Sequence, residues 1–131
     1  MLAAIIQVLP PIFFPISLAS QRESAADFSS RLECRIAGVV GVIDETLIRV
    51  QTSSAAWKAA SNTRNCFEGV LLLGIVDTRE RFIWIRSGLL GSFGDSRAFK
   101  ESAWYQRQQT VGGRVLHPGQ LILSDGAFAF A

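Results

Sequence analysis

The sequence has few of the side chains that build most transition-metal sites. It contains two cysteines and one histidine among 131 residues. Cys34 and Cys66 form no CxxC pair, whereas a structural zinc site needs about four closely spaced cysteine or histidine ligands. We therefore exclude a thiolate or imidazole metal cage and expect two buried, reduced thiols. His117 lies beside Pro118, and we expect it to be exposed and without a catalytic role.

A strong net charge is also missing. Thirteen basic and eleven acidic residues leave a formal net charge of +2. This balance neither predicts nor excludes a nucleic-acid partner, because binding depends on where the charges cluster. Hydrophobic residues make up 49% of the chain. This content and length predict one domain with much of its surface buried.

The first 19 residues contain no charged side chain. They lack the basic start of a signal peptide, and their prolines would interrupt a helix before it crossed a bilayer. We therefore expect residues 1–19 to form an apolar, proline-containing segment that packs through residues 12–14 on a domain spanning residues 20–131. The alternative is that the apolar residues 1–19 belong to a secreted or membrane-anchored protein.

The first half of the domain has the pattern of a helix followed by β-strands. Ser20 and Glu23 fit a capping box, which predicts a helix over residues 24–35. β-Branched and apolar residues predict a strand over residues 36–50 that runs through or bends near Asp44. A short helix is expected near residues 55–60, within a polar loop.

The second half predicts a hairpin, a helix and a last strand. Apolar runs on both sides of residues 77–80 are typical of a β-hairpin. A helix is predicted from Asp95 to about Gln109, and a loop over residues 111–119 leads to a short buried strand at residues 121–124. A strand reached through a helix is expected to lie parallel to a sheet strand.

Three aspartates follow apolar or glycine-rich stretches: Asp44, Asp95 and Asp125. A carboxylate at the end of a buried strand is costly unless a cation binds it, and Mg²⁺ prefers oxygen ligands. Metal-dependent phosphodiester chemistry is therefore the leading hypothesis. The alternatives are turn or cap roles for Asp44 and Asp125, and a helix N-cap for Asp95. Asp77 is interpreted as a hairpin-turn residue.

Several segments carry a family resemblance in their order along the chain. Residues 38–48 (GVVGVIDETLI) resemble the pattern GxIGAIDGTHI, residues 74–77 resemble AVCD, residues 91–102 (GSFGDSRAFKES) resemble GSxHDSRxFxxS, and residues 121–128 (LILSDGAF) resemble YLLGDSGY. Residues 14–15 match the FP before the first helix. On these motifs the sequence resembles the DDE-superfamily nuclease domain of Harbinger-type transposases and Harbinger transposase-derived nucleases.

The resemblance implies an α/β, RNase H-like mixed sheet with flanking helices. It implies that Asp44, Asp95 and Asp125 are catalytic residues that bind a divalent metal, Mg²⁺ or Mn²⁺. In that fold Asp44 and Asp125 emerge side by side from parallel strands, while Asp95 enters from the start of a helix. Two metal ions held in this way activate a water or a 3′-hydroxyl for attack on DNA. The resemblance also implies a nuclear location and a separate DNA-binding protein as partner.

The sequence departs from the family pattern at several positions. Of the family's NRKG, only Arg64 remains, and Leu89, Leu90 and Gly94 replace the tryptophan, proline and histidine usual around the second aspartate. The family's last acidic ligand, a glutamate beyond the fourth strand, has no counterpart. We therefore expect a partial nuclease domain, incomplete at its C-terminus. The alternative is a non-catalytic, domesticated domain that binds DNA or protein.

Basic residues follow Asp95 at helical spacing. On a helix, Arg97, Lys100 and Arg107 fall within one arc with Trp104 on the same side. They are candidates for contact with DNA phosphates, which would make binding salt-dependent. The alternative is a solvated basic face. All three tryptophans, which include Trp57 and Trp84, are interpreted as core or partly buried anchors rather than base-stacking platforms.

Overall fold

The structure is a computed structural model that describes residues 14–31, 35–51, 55, 67–126 and 128. Its helices and strands, numbered in chain order, are α1 (Leu18–Arg31), β1 (Val39–Arg49), β2 (Gly69–Val76), β3 (Phe82–Leu90), α2 (Asp95–Lys100), α3 (Ala103–Gln109) and β4 (Leu121–Leu123). Apart from residue 55, the predicted short helix near residues 55–60 lies outside the described residues, as do Cys34, Trp57, Arg64 and Cys66.

The described strands form one mixed sheet. Its order is β3-β2-β1-β4. Strands β1, β2 and β3 are antiparallel neighbours, and β4 lies parallel to β1. The predicted hairpin and the parallel last strand are therefore confirmed. With helices flanking this sheet, the predicted α/β, RNase H-like fold is confirmed as well.

Strand β1 runs through Asp44 without ending there. Successive side chains of a strand point to opposite faces of its sheet. Ile43 is 1% exposed and belongs to the main hydrophobic core, whereas Asp44 is exposed. The predicted strand through Asp44 is therefore confirmed, and the aspartate lies on the face opposite to the core side chain of Ile43.

Aromatic rings dominate the core on the Ile43 face. Phe99 of α2 is 3% exposed, and its ring lies 5.4 to 6.2 Å from four other rings, those of Trp84, Trp104, Tyr105 and Phe128. Such tilted and edge-on pairs stabilise beyond their buried area. Trp84 and Trp104 are therefore core or partly buried anchors, as predicted.

The start of α1 differs from the prediction. The helix begins at Leu18, and Ser17 Oγ accepts a hydrogen bond from the Ser20 backbone N–H at 3.1 Å. The predicted capping box at Ser20 and Glu23 is wrong, because Ser17 supplies the capping oxygen about one turn earlier. The expected boundary between residues 19 and 20 falls inside this helix. Of the segment expected to pack on the domain, Phe14 is described, and its ring lies 5.4 Å from that of Trp104.

One buried glutamine connects α1 to the loop before β4. Gln21 is 0% exposed. Its Nε2 donates to the carbonyl oxygens of Pro15 and Val115 at 2.8 and 2.6 Å, and its Oε1 accepts from the His117 backbone N–H at 3.0 Å. His117 is half-buried, with Nε2 2.9 Å from the Ile16 carbonyl oxygen. The expectation of a freely exposed His117 is therefore wrong.

The helix predicted from Asp95 to Gln109 is two helices. They are separated at Glu101 and Ser102, and Ser102 Oγ accepts from the Tyr105 backbone N–H at 3.1 Å. The prediction of one helix is wrong because this local bond caps α3 and competes with continuation of α2. No helix among the described residues combines the length and apolar character needed to cross a bilayer.

Candidate active site

The parallel strands β1 and β4 are paired just before Asp44 and Asp125 in the sequence. Val42 of β1 pairs with Leu123 of β4, and each aspartate lies two residues further along its chain. Neighbouring strands are about 4.8 Å apart. Both aspartates are exposed. Asp44 therefore lies within β1, and Asp125 lies just beyond the end of β4.

Asp44 is held locally by its own strand. Its Oδ1 accepts a hydrogen bond from the Glu45 backbone N–H at 2.8 Å. Opposite it on β2 lies Gly74, where even a Cβ would crowd the Phe82 ring. Because that glycine has no side chain, the Phe82 ring of β3 packs over this position.

Asp95 is the first residue of α2 and lies near Glu45. The N-cap of α2 is Gly94, which has no capping side chain. The alternative interpretation of Asp95 as the N-cap is therefore wrong, although its negative charge in the first turn suits the helix dipole. Glu45 is half-buried and lies opposite the buried Leu73 of β2.

The electrostatics of Glu45 connect Asp95 with Asp44. Burial raises the pKa of Glu45 above its ordinary value, and the negative charges of Asp95 and then of Asp44 raise it further. The negative charges of both aspartates therefore act on the Glu45 carboxyl group. The sequence interpretation missed this residue, although strand alternation from Ile43 predicts that Glu45 shares the core-facing side.

The acidic residues thus fall into two groups, and the second includes Glu45, which is not one of the predicted aspartates. The strand register relates Asp44 to Asp125. Electrostatic repulsion relates Asp95 to Glu45, because the charge of Asp95 raises the pKa of Glu45. In the part of the chain that the structure describes, no three acidic, histidine or cysteine side chains are close enough together to enclose a metal. Carboxylate oxygens are the donor type that Mg²⁺ and Mn²⁺ prefer, and Asp44, Asp95 and Asp125 each supply that donor type.

An open, partly basic cleft adjoins Asp95. Its volume is about 740 Å³, and Arg97 and Lys100 line it together with Glu101. The Arg97 guanidinium lies 4.6 Å from the centre of the Phe93 ring, and its Nε donates to Glu101 Oε1 at 2.9 Å. Arg107 is not among the lining residues. The expected single arc is therefore wrong, because the break before α3 separates Arg107 from Arg97 and Lys100.

Trp104 does not share a surface with these basic residues. It is 9% exposed and belongs to the core, while Arg97 and Arg107 are exposed. A base-stacking role for Trp104 at the basic cleft is therefore excluded in this conformation.

Asp77 has the turn role that its position predicts. Its Oδ1 accepts from the backbone N–H groups of Arg79 and Arg81 at 2.8 and 3.0 Å, and its Oδ2 lies 2.7 Å from the Arg81 guanidinium. Partial burial acts to raise the pKa of Asp77, but the hydrogen bonds from Arg81 and Arg79 outweigh it and hold the pKa below its ordinary value. These contacts close the β2–β3 turn.

Comparison with known proteins gives a family for the chain. Searches of curated proteins and of solved structures found no match. A family model described as DDE superfamily endonuclease matches residues 43–131, a range that includes Asp44, Asp95 and Asp125. The match covers more than half of the chain and includes β4 and the part of β1 that carries Asp44. The chain belongs to the DDE superfamily of endonucleases.

Proposed function

We propose that this chain is a metal-dependent DNA nuclease domain of transposase origin, of the Harbinger type. The observation that carries the proposal is the parallel pairing of β1 and β4, in which Asp44 and Asp125 each follow the paired residues Val42 and Leu123 by two positions. Carboxylates from distant parts of a sequence that meet at one strand end form the kind of site that a hard divalent cation occupies.

In this proposal Asp44 and Asp125 hold Mg²⁺ or Mn²⁺, and Asp95 completes the acidic site from α2. Such an ion, when bound, lowers the pKa of a bound water and stabilises the leaving oxygen of a phosphodiester. The nearby Glu45 adds negative charge. A cation would relieve the repulsion within this group, which is why metal binding is expected to be favoured at neutral pH.

DNA is the proposed substrate. Arg97 and Lys100 line the cleft that Asp95 also lines, so phosphates held there would lie beside the acidic site. Arg107, exposed on α3, would contact phosphates outside this cleft. The same proposal includes a nuclear location and a separate DNA-binding protein, as in the transposases that the sequence resembles.

A second candidate is a domesticated domain that binds DNA or protein without cutting. Two observations favour it over catalysis. Glu45 stands where the family pattern has glycine, and no three potential ligands converge tightly among the described residues. Such a domain would keep the fold and the basic cleft while binding metal weakly or not at all.

The metal site is tested by calorimetric titration of Mg²⁺ and Mn²⁺. We expect weak binding by the wild type and none by an Asp44→Asn, Asp125→Asn double variant, because both carboxylates lose their charge without a change in size. Asp27→Asn is the matched control, since Asp27 lies on α1 and pairs with Arg31 and Arg79. Equal heats from the wild type and the double variant would contradict the metal site.

A plasmid-nicking assay separates the two candidates. A nuclease nicks supercoiled DNA with Mn²⁺ and loses this activity in the double variant. A binding domain retards the DNA on a gel in both forms and leaves it uncut. Nicking that persists in the double variant indicates a contaminating nuclease and contradicts the proposed site.

A further inference from the structure

Two arginines in the described part of the chain lie over phenylalanine rings. The Arg49 guanidinium is 4.7 Å from the centre of the Phe67 ring, and the Arg97 guanidinium is 4.6 Å from the centre of the Phe93 ring. Both arginines are exposed, whereas both phenylalanines are half-buried. We refer to these contacts as the arginine–phenylalanine pairs. In each pair the ring covers one side of the guanidinium, and the exposure of the arginine leaves other sides open to solvent.

Both pairs lie at the same end of the sheet. Arg49, the last residue of β1, pairs with Gly69 at the start of β2. The Gly69 carbonyl oxygen accepts from the backbone N–H of Gly91, just beyond the end of β3, at 2.8 Å. Two strand spacings, about 10 Å, therefore separate Arg49 from Gly91. Phe67 lies two residues before Gly69, and Phe93 lies two residues after Gly91.

Both pairs also lie on the face of the sheet that carries Glu45. Strand residues two apart share a face, so Arg49 is on the same side of β1 as Leu47 and Glu45. Leu47 and Phe93 both pack against the main hydrophobic core, which places the Phe93 pair on that side too. Asp95 follows Phe93 by two residues. The pairs therefore extend the surface beside the acidic residues Glu45 and Asp95.

The charge of Arg97 is partly offset by a neighbour. Its Nε donates to Glu101 Oε1 at 2.9 Å, and its side chain is 70% exposed. A guanidinium beside a carboxylate attracts a phosphate less strongly than an isolated cation does, but its flat surface stays available. Planar guanidinium groups stack on aromatic systems, and every nucleic-acid base has such a face. Lys100, which lines the same cleft, supplies a cation for a phosphate.

Stacking on these guanidinium groups requires a base that is unpaired. In a duplex the base faces lie inside the helix, where a side chain reaches them only if the nucleotide is extruded. In a single strand the faces are exposed. Proteins that bind single strands without sequence preference combine stacking platforms with a positively charged groove. The two pairs and Lys100 supply both of these elements at one surface.

We propose that the surface formed by the two arginine–phenylalanine pairs binds single-stranded DNA, with one unpaired base stacked on each guanidinium. This role rests on the proposed function, because the bound strand is the DNA that reaches the acidic site. The preferred substrate is then a strand that is already unpaired beside the scissile phosphodiester. Binding through the pairs needs no metal ion.

Fluorescence anisotropy in metal-free buffer tests this preference. The probes are a labelled single strand of about sixteen nucleotides without self-complementary sequence, and the duplex that it forms with its complement. We expect the full chain to bind the single strand about tenfold more tightly than the duplex, because stacking of two bases outweighs the higher charge density of the duplex. Without divalent metal the proposed nuclease cannot cut, so binding is measured independently of catalysis.

Arginine-to-lysine variants separate stacking from charge. Arg49→Lys and Arg97→Lys keep the positive charge but lose the planar guanidinium. Each should weaken single-strand binding about fivefold, at the lower end of what one stacked base contributes, and leave duplex binding nearly unchanged. Arg22→Lys is the matched control, because Arg22 is exposed on α1. This control should leave both affinities unchanged.

Two results would overturn the proposal while the proposed nuclease function stands. Equal or tighter binding of the duplex by the wild type would show that phosphate contacts alone hold the DNA. An equal loss of single-strand and duplex affinity in the lysine variants would show that the pairs do not recognise unpaired bases. Binding of neither probe would contradict DNA as a ligand of this surface, and the plasmid-nicking assay decides catalysis separately. The comparison of probes uses the wild type, so it holds even where a variant fails to fold.

Discussion

Val42 of β1 pairs with Leu123 of β4 in parallel register, and Asp44 and Asp125 each follow their paired residue by two positions. About eighty residues of sequence separate the two aspartates, which is more than the roughly dozen residues that a connection between parallel strands needs. The proposed function requires Asp44 and Asp125 to lie close together, and this proximity can be tested without metal or DNA.

A disulfide between the two positions tests their proximity. In a Cys34→Ser, Cys66→Ser background, Asp44→Cys and Asp125→Cys should form an intramolecular disulfide on mild oxidation, because adjacent strands place Cα atoms within the roughly 4.4 to 6.8 Å that a disulfide spans. Mass spectrometry of the oxidised, digested protein detects the linked peptides. Asp27→Cys with Asp125→Cys is the control and should stay reduced. A disulfide in the Asp27→Cys, Asp125→Cys control but not in the Asp44→Cys, Asp125→Cys protein would contradict the parallel register of β1 and β4.

Gly38 controls the junction of β1 with β4. Its carbonyl oxygen accepts from the Leu121 N–H at 2.9 Å, and its φ is +82°. A Cβ at this position would overlap the Gly119 carbonyl oxygen. We expect Gly38→Ala to lower the free energy of unfolding by about 3 kcal/mol or more, since backbone strain and overlap add together.

Gly112 provides the matched control for Gly38. Its φ is +78°, but nothing lies within 4 Å of an added Cβ. Gly112→Ala should therefore destabilise by about 1 kcal/mol, the effect of the left-handed conformation alone. Urea unfolding of both variants measures the difference. Equal losses would show that the contact between Gly38 and Gly119 is unimportant.

Asp77 should make stability depend on pH in acid. Its folded-state pKa is lowered, so the ionised carboxylate contributes stability above its unfolded pKa of about 3.9 and loses it as pH falls through the lower folded value. Asp77→Asn should therefore be less stable by about 1 to 2 kcal/mol at pH 7, as for a charged hydrogen bond. The difference should become smaller as the pH falls below the unfolded pKa.

Thermal unfolding of wild type and Asp77→Asn between pH 2 and 7 measures this effect. Asp27→Asn is the control, because its ion pairs with Arg31 and Arg79 are exposed and 3.8 Å long. Such pairs contribute about 0.5 kcal/mol or less. A difference for Asp77→Asn that stays constant over this range would show that the carboxylate charge is not responsible.

Gln21 should be intolerant of apolar replacement. Gln21→Leu leaves the carbonyl oxygens of Pro15 and Val115 and the N–H of His117 without their partner. We expect a loss of about 2 to 4 kcal/mol, because unpaired buried groups retain their full desolvation penalty. Gln106→Leu is the control, since its bond to the Lys100 carbonyl is exposed. Equal free energies of unfolding for Gln21→Leu and Gln106→Leu in urea would contradict the stabilising role of the Gln21 hydrogen bonds.

The basic cleft should contribute to the salt dependence of DNA binding. Arg97→Ala with Lys100→Ala removes the cations that line the cleft beside Asp95. If both contact phosphates, the slope of log K against log salt should fall in magnitude by about 2. Fluorescence anisotropy with a labelled duplex measures the slope. Arg22→Ala on α1 should leave it unchanged, and an unchanged slope in the double variant would remove the cleft as a DNA site.

Local patterns were sufficient to predict the sheet. The run of β-branched residues around Asp44, the turn at Asp77 and the short strand before Asp125 are all encoded within a few residues, where strand propensity and turn chemistry act. These are the elements that the structure confirms. The family resemblance added the parallel placement of β4 beside β1.

Features that depend on distant contacts or on competing caps were not predictable. Ser102 ends one helix and starts the next because its hydroxyl binds the Tyr105 N–H, whereas the sequence pattern alone continues through it. The approach of Asp95 to Glu45 depends on how α2 packs on the sheet. Strand alternation places Glu45 on the core side, but no local signal shows which acidic residue faces it.

The hydrogen bonds of Gln21 join parts of the chain that are synthesised far apart in time. Val115 and His117 follow it by 94 and 96 residues. Contacts of such long range form late in folding, because the intervening loop must close first. During translation, the hydrogen bonds between α1 and the segment before β4 can therefore form only after that segment has left the ribosome.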